Sequence, residues 1–269
     1  LLACYMAYAG NIHKHGNRAQ RLSLAATAFA VVLALLGYPA QWNLNQIATG
    51  ANVYFQPSPS GDVIDALESI QGGLITVNHG EYQEEGKAPE QILTLLTNGK
   101  SQGNNSREVI AQVGVALTPL LHTSHRDDVL VIGYGTGNSA HVLHQENFAR
   151  VDIAELAPDM VAMADRHFAN INGLVSQQPN VPLYYTDGRN LLLTQNKRYD
   201  LISMEINSIW FAGAANLYNR EFYQLVATRL QEDGVLQQWI QLHHIRPIDL
   251  IYVLNTLHQE FRYVWLYVV

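Results

Sequence analysis

Cysteine is almost absent. Cys4 is the only one in 269 residues, which excludes a disulfide framework and any zinc site built on cysteines. Asp and Glu are missing from the first 60 positions, where Lys14, Arg18 and Arg21 give +3, so the rest of the chain carries −10 of the net −7. No basic cluster appears that would suit a nucleic-acid partner. Neither H-E-x-x-H nor a comparable ligand spacing occurs, so no metal site is expected, and Ser208 lacks the flanking glycines of a nucleophile elbow. There is no internal repeat. The chain lacks an initial Met and ends on "WLYVV", which has the pattern of a strand interior, so a C-terminally truncated piece of a longer protein is expected. What is present is 48% apolar residues, enough to fill the core of one large or two modest domains.

The longest uncharged apolar run is Leu22 to Ala40, "LSLAATAFAVVLALLGYPA", close to the length that crosses a bilayer core. A short basic loop precedes it, and "LLACYMAYAG" before that resembles the end of another such helix. Residues 1–40 are therefore expected to form a membrane segment, and residues 41–60, rich in Asn, Gly, Pro and Ser, a linker. Between residues 61 and 103, short alternating segments broken by "QGG" and "NGK" predict a small antiparallel β-unit.

From residue 104 to 269 strands alternate with helical periodicity. The strands are expected at Asp128–Gly133, Arg150–Glu155, Val181–Thr186, Tyr199–Met204, Gly234–Ile240 and Tyr263–Val269. Between them, "APDMVAMADRHFANI", "NREFYQLVATRLQ" and "PIDLIYVLNTLHQEF" place apolar residues at helical spacing. The pattern predicts an α/β fold with a doubly wound, mostly parallel Rossmann-like sheet covered on both faces.

In such a sheet, ligands bind at the carboxyl ends of the strands. The first strand ends in Gly133-Tyr134-Gly135-Thr136-Gly137, with a helix expected from Asn138. Glycines permit a tight turn and close approach, and the helix start offers unpaired N–H groups. The dinucleotide pattern wants glycine or alanine where Asn138 stands, which counts against an NAD-dependent oxidoreductase. Glu155 ends the second strand, where a carboxylate can accept both hydroxyls of a ribose; Asp152 is the competing acid. Asp187-Gly188 ends the third strand and suits either an adenine amino group or an ordinary turn. Glu205 ends the fourth and would face the centre of the crevice. Acids at three successive strand ends point to a nucleoside. His243 and His244 after the fifth strand lack a third ligand at metal spacing and are expected to line substrate or to be structural.

In order and spacing, "LTNGKSQ", "VLVIGYGTGN", "VDIAELAPDMV", "YYTDGRNLL", "YDLISME" and "GAANLYNREFYQLVATRLQEDGVLQQ" resemble the polyamine aminopropyltransferases, or spermidine synthases, within the class I AdoMet-dependent transferase fold. The combination with Leu22–Ala40 resembles the membrane-fused type of that family. The resemblance implies that Gly133, Gly135 and Gly137 approach the nucleoside, Glu155 holds the ribose, and Asp187 with Gly188 holds the adenine. Gln71 and Gln102 match glutamines that line the aliphatic arm and sulfonium, and Glu205 matches the catalytic aspartate. The implied reaction is displacement at a carbon beside a sulfonium, in S-adenosylmethionine or its decarboxylated form, by a small-molecule amine.

The departures concern charge. Thr136 stands where the family carries an aspartate that pairs with the donor's free amine. Ser208, Asn104, Asn105 and Gln241 also stand where the family has acids, and Ser208, Gln241 and His243 are expected to line the acceptor. Loss of so many carboxylates argues against a polycationic acceptor and for tolerance of intact AdoMet. A small-molecule methyltransferase and a non-catalytic nucleoside sensor are the competing functions. An integral membrane protein is expected; charge bias puts its body outside, while cofactor supply favours the cytoplasm. A homodimer is compatible with the pattern.

Overall fold

The computed structural model describes residues 17–37, 42–58, 60–83, 86, 88–206, 213–242 and 245–269. It divides into two compact units, Leu1–Asn43 and Leu44–Val269. In the first, helix α1 spans Arg18–Leu36. Its start is set by a reciprocal cap: Gln20 N donates to Asn17 Oδ1, and Asn17 N to Gln20 Oε1, both at 2.9 Å.

This helix corrects the expected membrane span. No helix among the described residues is long and apolar enough to cross a membrane. The first turn of α1 carries Arg18 and Arg21, and its uncharged part rises only about 22 Å at 1.5 Å per residue, short of a hydrocarbon core of about 30 Å. The integral-membrane assignment is accordingly withdrawn. The expected end of a preceding span lies outside the described residues.

The second unit opens with two single helical turns, Leu44–Ile47 and Ala51–Tyr54, and continues with an antiparallel sheet in the order β1-β2-β3-β4: β1 Asp62–Ser69, β2 Gly73–Tyr82, β3 Glu90–Thr97 and β4 Lys100–Asn104. The β3–β4 turn is Asn98-Gly99, both at positive φ, the conformation a tight two-residue hairpin requires. Asn98 also accepts the Leu74 N–H through Oδ1 at 2.9 Å, which pins this turn to β2.

A five-stranded parallel sheet follows: β5 Asp128–Ile132, β6 Arg150–Glu155, β7 Leu183–Tyr185, β8 Tyr199–Met204 and β9 Leu230–Gln238. Its order is β7-β6-β5-β8-β9, with every neighbouring pair parallel. The chain winds one way from β5 to β7 and the other way from β5 to β9, so the reversal, and the crevice it opens, lies at the carboxyl ends of β5 and β8. The longer helices of this unit are α2 Arg107–Leu117, α3 Asn138–Gln145, α4 Pro158–His167, α5 Gly188–Thr194, α6 Arg220–Arg229 and α7 Pro247–Glu260.

Strand β5 shows why the sheet is covered twice. Val129 and Val131 enter a core with Met163, Phe168 and the antiparallel-sheet residues Ile75 and Leu95, while Leu130 and Ile132 enter another with Leu192, Phe222 and Tyr223. Each fully buried side chain of this kind contributes about 1.5–3 kcal/mol.

One expected strand does not form. Tyr263–Val269 carries no strand. Its alternating aromatics stack instead: Trp265 lies 4.3 Å from the His122 ring and Tyr263 5.6 Å from Trp265, and Tyr267 Oη is 2.7 Å from His122 Nε2. A period-two pattern meant to read as a ladder is satisfied by side chains alone.

Asp152 is fully buried at the amino half of β6. It accepts from Arg150 Nε at 2.7 Å, and from Lys197 Nζ and Tyr199 Oη at 2.9 Å each. With its oxygens committed to Arg150, Lys197 and Tyr199, it is no ribose ligand. Asp152→Ala leaves the buried Tyr199 phenol without its acceptor and takes one of two carboxylates from Lys197, which keeps Asp128, and is expected to cost about 2 kcal/mol. Asp152→Asn, which keeps an acceptor, should lose less; urea denaturation at neutral pH measures both.

Candidate active site

All three glycines of the turn after β5 lie at positive φ, Gly133 at +93° with an added Cβ 3.0 Å from Ile206 Cδ1. Gly135 has φ +52° and runs so close to β4 that an added Cβ would sit 3.1 Å from the Gln102 carbonyl oxygen. Gly137, at φ +82°, precedes α3, and a Cβ there would lie 2.6 Å from the Tyr134 ring. Tyr134 itself turns inward and donates to Asp165 Oδ1 at 2.9 Å; burial and that carboxylate push its phenol pKa upward. The loop thus leaves backbone, not side chains, facing the crevice.

Glu155, at the end of β6, holds this loop. Its Oε2 accepts the Tyr134 N–H and its Oε1 the Ala157 N–H, both at 2.9 Å. Burial raises the carboxyl's pKa, and the backbone donors oppose that by favouring the charged form. Each oxygen retains a lone pair, so the same group can clamp the loop and accept a diol.

The two glutamines reach the rim from the antiparallel sheet. Gln102 lies on β4 with its carbonyl against Gly135. Gln71 is exposed in the β1–β2 turn, whose Gly72 packs against Ala157, since a Cβ there would stand 2.9 Å from the Ala157 Cβ. Asp187 caps α5, accepting the Asn190 N–H through Oδ1 at 3.1 Å and keeping Oδ2 available. Gly188 is buried against β5, where a Cβ would meet Ile132 at 2.5 Å.

Glu205 follows β8 and continues its ladder, its N–H donating to the Ile132 carbonyl at 3.2 Å. The residue is partly exposed, yet its Oε1 is buried and has no hydrogen-bond partner among the described residues. Burial pushes its pKa up to about 7, against a smaller lowering by the Ser139 hydroxyl. A carboxyl at the strand-order reversal, with one oxygen unengaged, is suited to receive a proton near neutral pH.

The structure gives other work to several residues. Thr136 is buried and turned away from the crevice, its Oγ1 donating to Gln112 Oε1 at 3.1 Å and its carbonyl accepting from Asn172 Nδ2 at 3.0 Å. Asn104 Oδ1 accepts from Ser106 N at 3.0 Å and Glu108 N at 3.2 Å, holding the start of α2, while Asn105 Oδ1 accepts from Leu93 N at 2.9 Å. Gln241 lines a separate cavity of about 870 Å³ beside β9, with Thr118, Leu257 and Trp265. Ser208, His243 and His244 lie outside the described residues. No group of three or more His, Cys, Asp or Glu residues placed to hold a metal occurs among the described residues. Gln112 and Ser139 were not singled out from the sequence. Both are uncharged polar residues on helices beside the glycine turn, and no motif in the sequence marks them.

A sequence model described as the spermine/spermidine synthase domain matches residues 106–269. A polyamine aminopropyltransferase of Nitrosomonas europaea is 30% identical over 149 residues, covering 53% of this chain and 46% of the relative. One from Korarchaeum cryptofilum is 21% identical over 143 residues, covering 53% and 44%. The chain spans about half the length of the curated relatives it matches. Among solved structures, a spermidine synthase in complex with the transition state analogue AdoDATO aligns with a TM-score of 0.62 at 16% identity, over 75% of this chain and 66% of that one. Spermidine synthase from Thermotoga maritima gives 0.59 at 16%, over 75% and 65%. At these identities the likeness shows the fold: the parallel sheet of class I transferase type with a small antiparallel sheet before it.

The folded state holds the Glu205 proton more tightly than the unfolded chain does. Its contribution to stability is therefore complete below pH 4.5 and lost as pH rises through about 7. Glu205→Gln removes that loss, so the variant should gain on the parent by up to about 3 kcal/mol between pH 4.5 and pH 8 in urea denaturation.

Proposed function

The chain belongs to the spermine/spermidine synthase family, and we propose from that premise that its crevice transfers an aminopropyl group from an AdoMet-derived sulfonium donor to an amine. The observation that carries this is Glu205: a buried carboxyl with an unengaged Oε1, one strand away from the glycine turn and two from Glu155.

In the proposed division of labour, Glu155 accepts the ribose hydroxyls while it clamps the turn, and Asp187 offers Oδ2 to the adenine. Gln71 and Gln102 flank the donor's aliphatic arm. Glu205 orients the acceptor amine and takes its proton. The amine lone pair forms the new C–N bond as the C–S bond breaks, the departing electron pair neutralises the sulfonium, and the proton released from nitrogen ends on Glu205. Because the sulfonium already makes the carbon electrophilic, alignment and an unprotonated amine are what the protein must supply. A carboxyl with a pKa near 7 is ionised enough at neutral pH to accept that proton and acidic enough to release it.

The site's charge supports a finer proposal. Thr136 points into α2 and presents no carboxylate to the donor's amino end, and the Asn104 and Asn105 amides are committed to backbone donors. We infer that intact AdoMet is tolerated, with transfer to an acceptor less cationic than the usual polyamines, and that methyl transfer on the same frame is the second reading this absence favours.

Two measurements test the proposals. Glu205→Gln should lower the transfer rate by about 10²–10⁴-fold with little change in donor affinity, and a rate within twofold of the parent would remove Glu205 from the mechanism. Calorimetry should give dissociation constants for AdoMet and its decarboxylated form within about tenfold of each other. A preference for the decarboxylated donor beyond about a hundredfold would defeat the tolerance of AdoMet.

A further inference from the structure

After Glu205, β8 and β9 part. The ladder between them runs as far as a bond from the Trp239 N–H to the Met204 carbonyl at 3.0 Å. In a parallel pair the next rung would join the Ile206 N–H to the Trp239 carbonyl, and among the described residues no backbone bond joins them. A side chain takes that place. Tyr218 Oη donates to the Ile206 carbonyl and also to the Trp239 carbonyl, the latter at 2.9 Å. We propose that Tyr218 is a positioning residue whose hydroxyl, shared between these two carbonyls, holds the ends of β8 and β9 apart at a fixed width and so sets where Glu205 meets the acceptor amine.

A phenol is suited to this work. Carbonyls only accept, so two of them facing one another across a missing rung need a donor between them. Tyr218 is 6% exposed, and burial, with a smaller effect of Tyr223, pushes its pKa upward, so the hydroxyl keeps its proton at neutral pH. With the hydroxyl gone, both carbonyls lose a donor that only water or a moved strand end can replace. The ring is also held by its neighbours. It follows a 3₁₀ turn, Ala214–Leu217, whose Leu217 carbonyl accepts from Gln238 Nε2 at 3.1 Å, and it precedes α6, whose cap Asn219 accepts the Phe222 N–H at 2.9 Å. Tyr218 therefore reaches the strand ends from a segment already tied to β9.

The consequence falls on Glu205. Its N–H donates to the Ile132 carbonyl at 3.2 Å on the β5 side, and the carbonyl of the following residue is one of the two that Tyr218 holds. The Ile206 side chain in turn lies over the glycine turn, where a Cβ on Gly133 would stand 3.0 Å from its Cδ1. One hydroxyl thus fixes the backbone beside the proposed base and the apolar side chain over Gly133. The groups proposed to hold the donor stand elsewhere. Glu155 and Asp187 follow β6 and β7, which lie on the opposite flank of β5 from β8 and β9. A change at Tyr218 reaches the acceptor half of the crevice and leaves the donor half in place.

The proposal rests on Glu205 as the proton acceptor, and its test separates the two. In the 269-residue chain, Tyr218→Phe removes the hydroxyl and keeps the ring. Tyr199→Phe is the control, since it also removes a buried phenol hydroxyl from the β8 region, one that bonds Asp152 Oδ2 at 2.9 Å at the far end of the strand. Amide hydrogen exchange at Glu205 and Trp239 should quicken at least about tenfold in Tyr218→Phe and stay within about twofold in the control. With decarboxylated AdoMet as donor and butylamine as acceptor, kcat should fall about tenfold in Tyr218→Phe, while the calorimetric dissociation constant of the donor stays within about twofold. Tyr199→Phe should keep the parental kcat, and a merely structural Tyr218 would behave as that control does. 4-Aminophenylalanine in place of Tyr218 restores N–H donors at the end of the ring and should return exchange and kcat to within about threefold of the parent. A folded chain of that kind that stays impaired overturns the proposal, as does unchanged exchange or unchanged kcat in Tyr218→Phe. Quickened exchange in a series whose parent transfers no aminopropyl group would leave the bridge standing and defeat the proposed function instead.

Discussion

The backbone N–H of Tyr134 and that of Ala157 approach one carboxylate, and the crevice takes its shape from that meeting. Through Glu155 the turn after β5 is fastened to the end of β6, so two neighbouring strands present their ends as one surface. The glycines make such a turn sterically accessible, but accessibility alone leaves many conformations open. A buried acceptor with two directed N–H donors selects among them. Everything else at the site is positioned against that selected turn: the Gln102 carbonyl against Gly135, Gly72 against Ala157, and Thr136 against Gln112.

Where burial is complete on both faces, the fold was legible in the sequence. β6 and β8 form over Arg150–Glu155 and Tyr199–Met204, where strand patterning placed them, because a run such as "VDIA" or "LISM" has no solvent-facing alternative. β4, "KSQGN", is polar and short and becomes a strand only through its Asn98-Gly99 hairpin with β3. Tyr263–Val269 fails in the opposite sense, since its alternation matches a ladder while its rings prefer the His122 face. The apolar run after Arg21 was overread for a related reason. Composition alone does not say where a helix ends, and α1 ends at Leu36.

In the candidate site the acids stand out in the sequence, while the hydroxyls and amides do not. Strand-end carboxylates are conspicuous because a charge at that place needs a partner, and Glu155, Asp187 and Glu205 each stand at the end of a successive strand. Asp152 and Glu155 stand three apart on β6 and so on opposite faces of the sheet, and Asp152 is taken up by Lys197 and Tyr199, a fact of tertiary packing. Ser139, Gln112 and Thr136 carry no charge to announce them, and their relation exists only once α2 lies across the glycine turn.

The boundary of sequence similarity and the boundary of the working unit do not coincide. The family match starts at residue 106, but the strand that crowds Gly135 and the turn that braces Ala157 come from residues before it. A chain cut to residues 106–269 would keep the loop and the acids without the strand and the turn that pack against them. The piece that can be exchanged intact is longer than the piece that resembles its relatives.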